Sequence, residues 1–419
     1  MCLITTTAFL ISFINFNGEQ NSGSGGKGID NFSADTYLPW EGGSVYYSQW
    51  TNGTQSDQNF FPIAVWLQST YNANAYKAIG INTFVGLWEG PTSYQLSNLN
   101  SSQMPVVCDQ NQVGLTDENN NIIEAWLHQD EPDNAQYNSS SGKYDPPITP
   151  EEVVRRYNDM KVNDSTRPVF LNLGQGVAWD GWWGRGTKFN HSEDYAQYAI
   201  GADILCYDIY PMNINESNAG EYWKEEVKKI CQSLWYVPYG IDRLRQWSEY
   251  KKPVWMALEC TNFNNNPHPP TPTYVKAEVW MSIIHGARGI VYFCHVFNPG
   301  FIEAGLLADT SMSTAVSIIN AQITTLAPVL NTQSVGNGVT TISSNSLIPV
   351  DTMLKRYDGH TYLFAVSMRP GTTIASFTLR DFSVSASAQV LGESRIITVR
   401  NGLFQDSFTD YSVHIYKIG

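Results

Sequence analysis

Charge is scarce in this chain. Asp, Glu, Lys and Arg make up 15% of its 419 residues, and the balance is acidic, with a formal charge of −14. No lysine or arginine tract occurs, so the chain lacks the electrostatic footprint that a nucleic-acid backbone requires, and neutral substrates are the easier reading. Cysteine is sparse and unpatterned. Cys2, Cys108, Cys206, Cys231, Cys260 and Cys294 show neither CxxC nor metal-finger spacing, and four of them lie within or at the end of apolar runs, as buried thiols do. There is no P-loop, no GxGxxG after a strand, no GxSxG elbow and no HExxH helix. Nucleotide, flavin, serine-hydrolase and zinc chemistry therefore lack their residues, and no cofactor or metal is expected. The apolar stretch from Leu3 to Phe16 is too short for a membrane span, and no other segment is expected to cross a membrane. Followed by NGEQNSGSGGKG, it reads as a secretion h-region and a flexible mature N-terminus, although no Lys or Arg precedes it. Residues 1–30 are accordingly set apart from the folded part, and a secreted or periplasmic location is expected.

Aromatic residues, by contrast, are plentiful: 13% of the chain, with 13 Trp and 23 Tyr. Eight apolar runs rich in β-branched and aromatic residues recur from Phe61 onward, at 61–68, 81–88, 104–110, 122–131, 167–174, 202–210, 253–260 and 289–296. Helix-like stretches separate several of them. NANAYKAIG is closed by Gly80, TPEEVVRRYNDMK opens on Thr149, Pro150 and two acids, and PTYVKAEVWMSIIHGARG has apolar residues at helical spacing. Eight βα units close a barrel of about 250 residues, so the chain is read as an α/β protein, a (β/α)8 TIM barrel over 31–333. Its lead-in, YLPWEGGSVYYSQW, caps or edges the barrel. After a helix at about 311–330 the texture becomes short alternating stretches with DG and NG turns, which predicts a C-terminal antiparallel β-sandwich over 334–419.

In such a barrel the active site lies at the C-terminal ends of the strands. The residues ending the eight runs are polar and aromatic: Gln68, Trp88, Glu89, Asp109, Gln110, Glu131, Asn172, Asp208, Tyr210, Glu259 and His295. Glu131, in HQDEPDN, ends the fourth run, and Glu259, in WMALEC, ends the seventh. Strands four and seven lie nearly opposite, so their terminal side chains can converge to the roughly 5–5.5 Å of two carboxyl groups that protonate a glycosidic oxygen and attack the anomeric carbon. Surface carboxylates at strand ends are common, and it is the joint placement of the two on matching strands that points to catalysis.

These motifs, with ADILCYDIYP on the sixth run, resemble the large superfamily of retaining β-glycosidases whose acid/base and nucleophile sit on barrel strands four and seven. The resemblance covers about 37–300 and, more loosely, the C-terminal sandwich. It implies that Glu131 is the general acid/base and Glu259 the nucleophile. It further implies that Tyr210, or less well Tyr207, hydrogen-bonds the nucleophile, and that Asp208 faces the subsite beside the scissile bond. Two departures stand out. Asp130 occupies the place where most members have Asn, and Phe293 and His295 stand where a strand-eight tryptophan is usual.

Adjacent strand residues face opposite ways, so Asp130 is expected to support Glu131 from behind or reach a sugar hydroxyl through a bulge. Aromatic faces cover the apolar faces of pyranose rings. On that ground Trp88, and Trp179 and Trp182 in the Gly-rich loop 176–186, are substrate-contact candidates, whereas Trp126 inside a strand reads as core. Asn172 and His295 complete the substrate-binding set, with His295 and His128 each open to a core role as well. The function expected is a retaining glycoside hydrolase that cleaves a β-linked neutral polysaccharide or oligosaccharide by double displacement. An endo-β-glucanase comes first, ahead of a β-galactosidase, galactanase or mannanase. The rivals are a non-catalytic carbohydrate-binding barrel and an inverting hydrolase in which Asp109 or Asp208 activates water.

Overall fold

The computed structural model describes residues 35–39, 42–215, 224–263, 265–380, 382 and 385–419. The Leu3–Phe16 run and the Ser/Gly-rich segment after it lie outside these residues. Each of the eight apolar runs contains one barrel strand: β1 Ile63–Trp66, β2 Thr83–Val85, β3 Val106–Asp109, β4 Ile123–Leu127, β5 Val169–Leu173, β6 Ile204–Asp208, β7 Val254–Glu259 and β8 Ile290–Phe293. They pair in parallel and in sequence order, and β8 closes on β1. Burial on both faces explains why the strands read as unbroken apolar runs.

The barrel interior is filled from alternate residues, among them Trp66, Phe170, Cys206, Trp255, Ala257 and Val291. The lead-in seals it: the turn Ser44–Gln49 carries Tyr47 into this cluster, where its hydroxyl accepts a 2.9 Å hydrogen bond from Trp255 Nε1. A larger apolar layer lies between the strands and the surrounding helices.

Helix Pro150–Asn163 starts where the sequence predicts, with the Thr149 side chain accepting from Glu152 N and Pro150 in the first turn. Helix Pro272–Ile284 starts likewise, with Thr271 capping Tyr274 N. Helix Thr310–Leu330 is long and apolar enough to cross a membrane, but it lies in the helical layer with Val316, Ile319, Ile323 and Leu330 buried. A short hairpin, Gln136–Asn138 with Lys143–Asp145, interrupts the β4–helix connection, and nothing in the alternation pattern announced it.

The C-terminal strands are β9 Val339–Ser343, β10 Val350–Tyr357, β11 His360–Ser367, β12 Thr373–Leu379, β13 Ala386–Val390, β14 Arg395–Val399, β15 Leu403–Phe408 and β16 Val413–Ile418. They form antiparallel sheets ordered β9-β12-β15 and β10-β11-β16-β13-β14, with an aromatic core that includes Phe377, Phe404, Phe408 and Tyr416. The sandwich docks on helix Pro272–Ile284, where Trp280 stacks on Phe364 at 5.6 Å between ring centres. His285 is held between Asp242 at 2.9 Å and Asp351 at 3.2 Å, and despite its burial these carboxylates raise its pKa to about 9. The five described cysteines are unpaired thiols, four of them buried.

One glycine shows how tightly the interior is filled. A Cβ at Gly289, just before β8, would lie 2.4–2.6 Å from the ring of Trp255, which is fully buried and bonded to Tyr47. Gly289→Ala is expected to lower stability by about 1–3 kcal/mol through overpacking, measured as a shift of the urea midpoint at unchanged slope.

Candidate active site

Strand β4 stops at Leu127, four residues short of the apolar run's end, and the chain then turns. Glu131 sits in the left-handed region at φ 42°, a conformation a non-glycine residue holds only where its surroundings impose it. Those surroundings are specific. Glu131 N donates to Asn172 O at 3.2 Å, and its carbonyl accepts from Asn134 N at 3.0 Å and Gln136 Nε2 at 3.1 Å. Two residues on, the buried Asp133 accepts from Gly174 N and from Tyr195 Oη, each at 2.9 Å, which pins the turn to the end of β5.

The turn is why Asp130 and Glu131 both face the barrel mouth. Alternation along a strand put them on opposite faces, but neither lies in a strand. A cavity of about 240 Å³ is lined by both acids, by Asn172 and Asp208, and by Trp66, Ala257 and the rings of Tyr210, Phe263, Phe293 and Phe297. A second lobe of about 440 Å³ shares Trp66 and Asp130 with it and carries Asp109 and Gln110 on its wall. Together they form an open cleft across the mouth, in the position and size range of small-molecule sites.

Asn172 organises the acids: its Nδ2 donates to Asp130 Oδ1 at 2.9 Å and to Asp208 Oδ2 at 3.0 Å. Asp208 also takes a hydrogen bond from Glu131, while Glu131 Oε2 accepts from Asn134 Nδ2 at 2.9 Å. Among the described residues, no Lys, Arg or His is bonded to these three. Burial, with the charges of Asp208 and Asp130 beside it, pushes the Glu131 carboxyl well above the usual carboxylate range. Burial likewise raises Asp208 to about 8 and Asp130, on the cavity wall, to about 6. The site thus holds a protonated carboxyl at neutral pH beside one that is ionised, the division of labour that acid catalysis needs.

Glu259 ends β7 as expected but is elsewhere in chemical terms. It is 0% exposed and does not line either lobe. Its Oε1 accepts from Met212 N at 2.6 Å and its Oε2 from Asn213 Nδ2 at 2.5 Å. Glu278 of the following helix lies against it, and burial raises Glu259 to about 8. In this arrangement its carboxyl is closed off from both lobes. Tyr210 is correspondingly not its hydrogen-bond partner. The Tyr210 ring packs on Phe263 and Phe293, at 5.3 and 5.2 Å, and the charges nearest its hydroxyl are Asp208, Glu131 and Asp130. Tyr207 points into the helix layer and bonds the carbonyl of Val237.

The aromatic candidates divide. Trp88 is 42% exposed at the rim, donates to Glu303 at 2.6 Å and stacks on His295. His295 is buried, bonded to the Leu67 carbonyl at 2.9 Å, and backs Trp88 without facing the cavity itself. Trp179 is only 4% exposed, with Trp182 and Trp183 against it, so it packs in the core instead of offering a face to sugar. Trp182, half-buried, donates to Asn134 Oδ1 at 3.0 Å and thereby steadies the amide that holds Glu131. Trp126 and His128 are core residues, the latter bonded to the Gly201 carbonyl. Sequence reasoning missed Trp66, Phe263 and Phe297. Of these Trp66 had a signal, since it stands near the end of the first apolar run and is the last residue of β1.

No family model matches the sequence, and no curated protein matches it. Among solved structures, a GH30 endoxylanase from Clostridium papyrosolvens C71 aligns at 13% identity and TM-score 0.47, over 92% of this chain and 98% of that one. AmyP in complex with maltose aligns at 10% and 0.49, over 89% and 98%. A β-galactosidase from the psychrophilic Marinomonas ef1 aligns at 12% and 0.43, over 64% and 60%. The strand pairing itself gives an eight-stranded parallel barrel with an appended β-sandwich, as the glycosidase-like motifs led one to expect, and at these identities no residue role or substrate carries over.

Gly174 offers a probe of the site that leaves its chemistry in place. A Cβ there would lie 2.8 Å from Glu131 Oε1 and 2.7 Å from Asn134 Nδ2. Gly174→Ala is expected to displace the Glu131 carboxyl and lower kcat by roughly 10²-fold with little change in melting temperature; unchanged turnover would show that this carboxyl need not be held in place.

Proposed function

We propose that the protein is a glycoside hydrolase acting on neutral β-linked carbohydrate, with Glu131 donating the proton to the leaving oxygen. The observation that carries this reading is the Glu131 carboxyl itself. It is fixed by a strained turn at an aromatic-walled cavity and kept protonated by burial and two neighbouring acids. The apolar walls suit pyranose faces, and the acids and Asn172 suit hydroxyls. An open cleft of two lobes supports binding within a polysaccharide, with β-glucan, galactan and mannan as the polymers to compare first.

Asp208 does not serve as the opposing catalytic group in this reading. An inverting pair needs roughly 6.5–9.5 Å and a retaining pair about 5–5.5 Å, whereas Asp208 and Glu131 are hydrogen-bonded to each other. One observation favours a second reading, a barrel that binds carbohydrate without cleaving it: the strand-seven glutamate is sealed away. Incubation with dyed polysaccharides and aryl β-glycosides separates the two, because a binding barrel releases no product.

For the hydrolase, Glu131→Gln should slow substrates with poor leaving groups by about 10²–10⁴-fold while sparing activated aryl glycosides, with azide restoring turnover. Equal losses on both substrate types would mean that Glu131 is structural. The wild-type rate should fall at high pH as Glu131 loses its proton, at a pH above the ordinary carboxylate range because its pKa is raised.

Glu259→Gln separates a sealed glutamate from a reactive one. The new amide can still accept from Met212 N, but its NH₂ opposes that of Asn213, so a lower melting temperature with retained turnover is expected. Abolished turnover at unchanged melting temperature, with labelling of Glu259 by a fluorosugar, would instead make it the nucleophile.

A further inference from the structure

The hydrolase reading leaves a gap: the cavity holds an acid, but among the described residues no carboxylate lines it on the far side. Glu259 is enclosed by Met212, Asn213 and Glu278, and Asp208 is bonded to the acid. The remaining carboxylate on the cavity wall is Asp130, adjacent to Glu131 in the chain and on the same side of the mouth. A neighbour on the same side cannot attack the anomeric carbon from the far face. It can, however, hold a group on the next ring carbon while Glu131 reaches the glycosidic oxygen.

Resting on the glycoside-hydrolase reading, we propose that the substrate is a β-linked 2-acetamido sugar whose own amide supplies the missing nucleophile, with Asp130 holding its N–H.

In the first step the acetamido carbonyl oxygen bonds to the anomeric carbon as the glycosidic C–O bond breaks, and Glu131 gives its proton to the departing oxygen. The product is a cyclic oxazolinium ion, whose N–H⁺ is paired with the Asp130 carboxylate. In the second step water adds to the anomeric carbon, Glu131 takes its proton, and the ring opens to restore the amide. Water is the one co-reactant, and the configuration is retained. Substrate assistance of this kind is a known exception to the two-carboxylate rule.

Three observations support the assignment. Asn172 lines the cavity, is 2% exposed, and gives its side-chain amide hydrogens to Asp130 and Asp208, while its side-chain Oδ1 has no hydrogen-bond partner. A buried acceptor without a donor is costly, and an N–H or hydroxyl of the sugar would satisfy it. Next, the wall offers an apolar recess for the acetyl methyl: Ala257, level with Asp208 on the neighbouring strand, is small, and Trp66 and Phe293 stand with it on the cavity lining. Finally, the charge states fit, because Asp130, at about 6, is ionised at neutral pH while Glu131 stays protonated.

The test uses the full chain with 4-methylumbelliferyl β-glycosides of N-acetylglucosamine, N-acetylgalactosamine, glucose and galactose, and with N-fluoroacetyl derivatives of the preferred sugar. The expected result is cleavage of an acetamido glycoside, with kcat/KM falling by at least about tenfold from acetyl to trifluoroacetyl as the amide oxygen loses nucleophilicity. Asp130→Asn should lose on the order of 10²–10³-fold in kcat. A thiazoline analogue of the bicyclic intermediate should raise the melting temperature of the wild-type protein, a readout that does not depend on any variant folding. Cleavage of the glucoside or galactoside alone would overturn this inference and leave the hydrolase reading standing. Cleavage of acetamido glycosides with a flat fluorine series would overturn the participating amide, and no cleavage of any sugar by the folded protein would overturn both readings.

Discussion

The turn after β4 is the constraint on which the site depends. A left-handed residue that is not glycine costs of order 1–3 kcal/mol and persists only where the fold over-determines it. Here the surroundings do so twice. Asp133 clamps the turn to Gly174 and Tyr195, and Arg185 braces the clamp by lying over the Tyr195 ring at 4.7 Å and pairing with Asp194 at 3.0 Å. Asn134, steadied by Trp182, fixes the Glu131 carboxyl directly. Without the turn, strand alternation would send one of the two adjacent acids into the helix layer. With it, both open on one cavity.

The electrostatics follow from what is missing around that turn. Asp130, Glu131 and Asp208 crowd the mouth with a neutral amide, Asn172, as the donor shared between two of them. With no cation bonded to them among the described residues, like-charge repulsion and desolvation act together, and the mouth retains protons that isolated carboxyls would release. A basic residue placed here would lower these pKa values. The chain's low content of Lys and Arg is in keeping with a mouth that works through burial.

The barrel was legible because parallel strands buried on both faces leave continuous apolar runs, and the place of Glu131 at the barrel mouth was legible because it follows such a run and precedes Pro132. The environment of Glu259 was not. Its enclosure comes from Met212 and Asn213 after β6 and from Glu278 on the next helix, partners that only the closed barrel brings together. The placement of Asp130 stayed open between two alternatives for a different reason. The apolar run extends to Glu131, but the strand stops at Leu127, and a pattern of side chains does not record where backbone pairing ends. In the Gly-rich loop the three tryptophans satisfy one another, with ring centres 4.7–5.3 Å apart. Composition alone cannot tell such a cluster from an open sugar platform.

A sealed carboxylate at the end of β7 also has a structural use. By accepting from Met212 N and Asn213, Glu259 ties the segment after β6 to β7. Asn213 in turn accepts from Phe263 N at 3.0 Å and donates to the Thr261 carbonyl at 2.9 Å, which sets the loop after β7. Those two segments carry Tyr210 and Phe263, and with Phe293 of β8 they make the aromatic wall of the cavity. The strand-seven glutamate therefore shapes the pocket from behind. This accounts for a glutamate at the strand-seven end that lines neither lobe of the cleft.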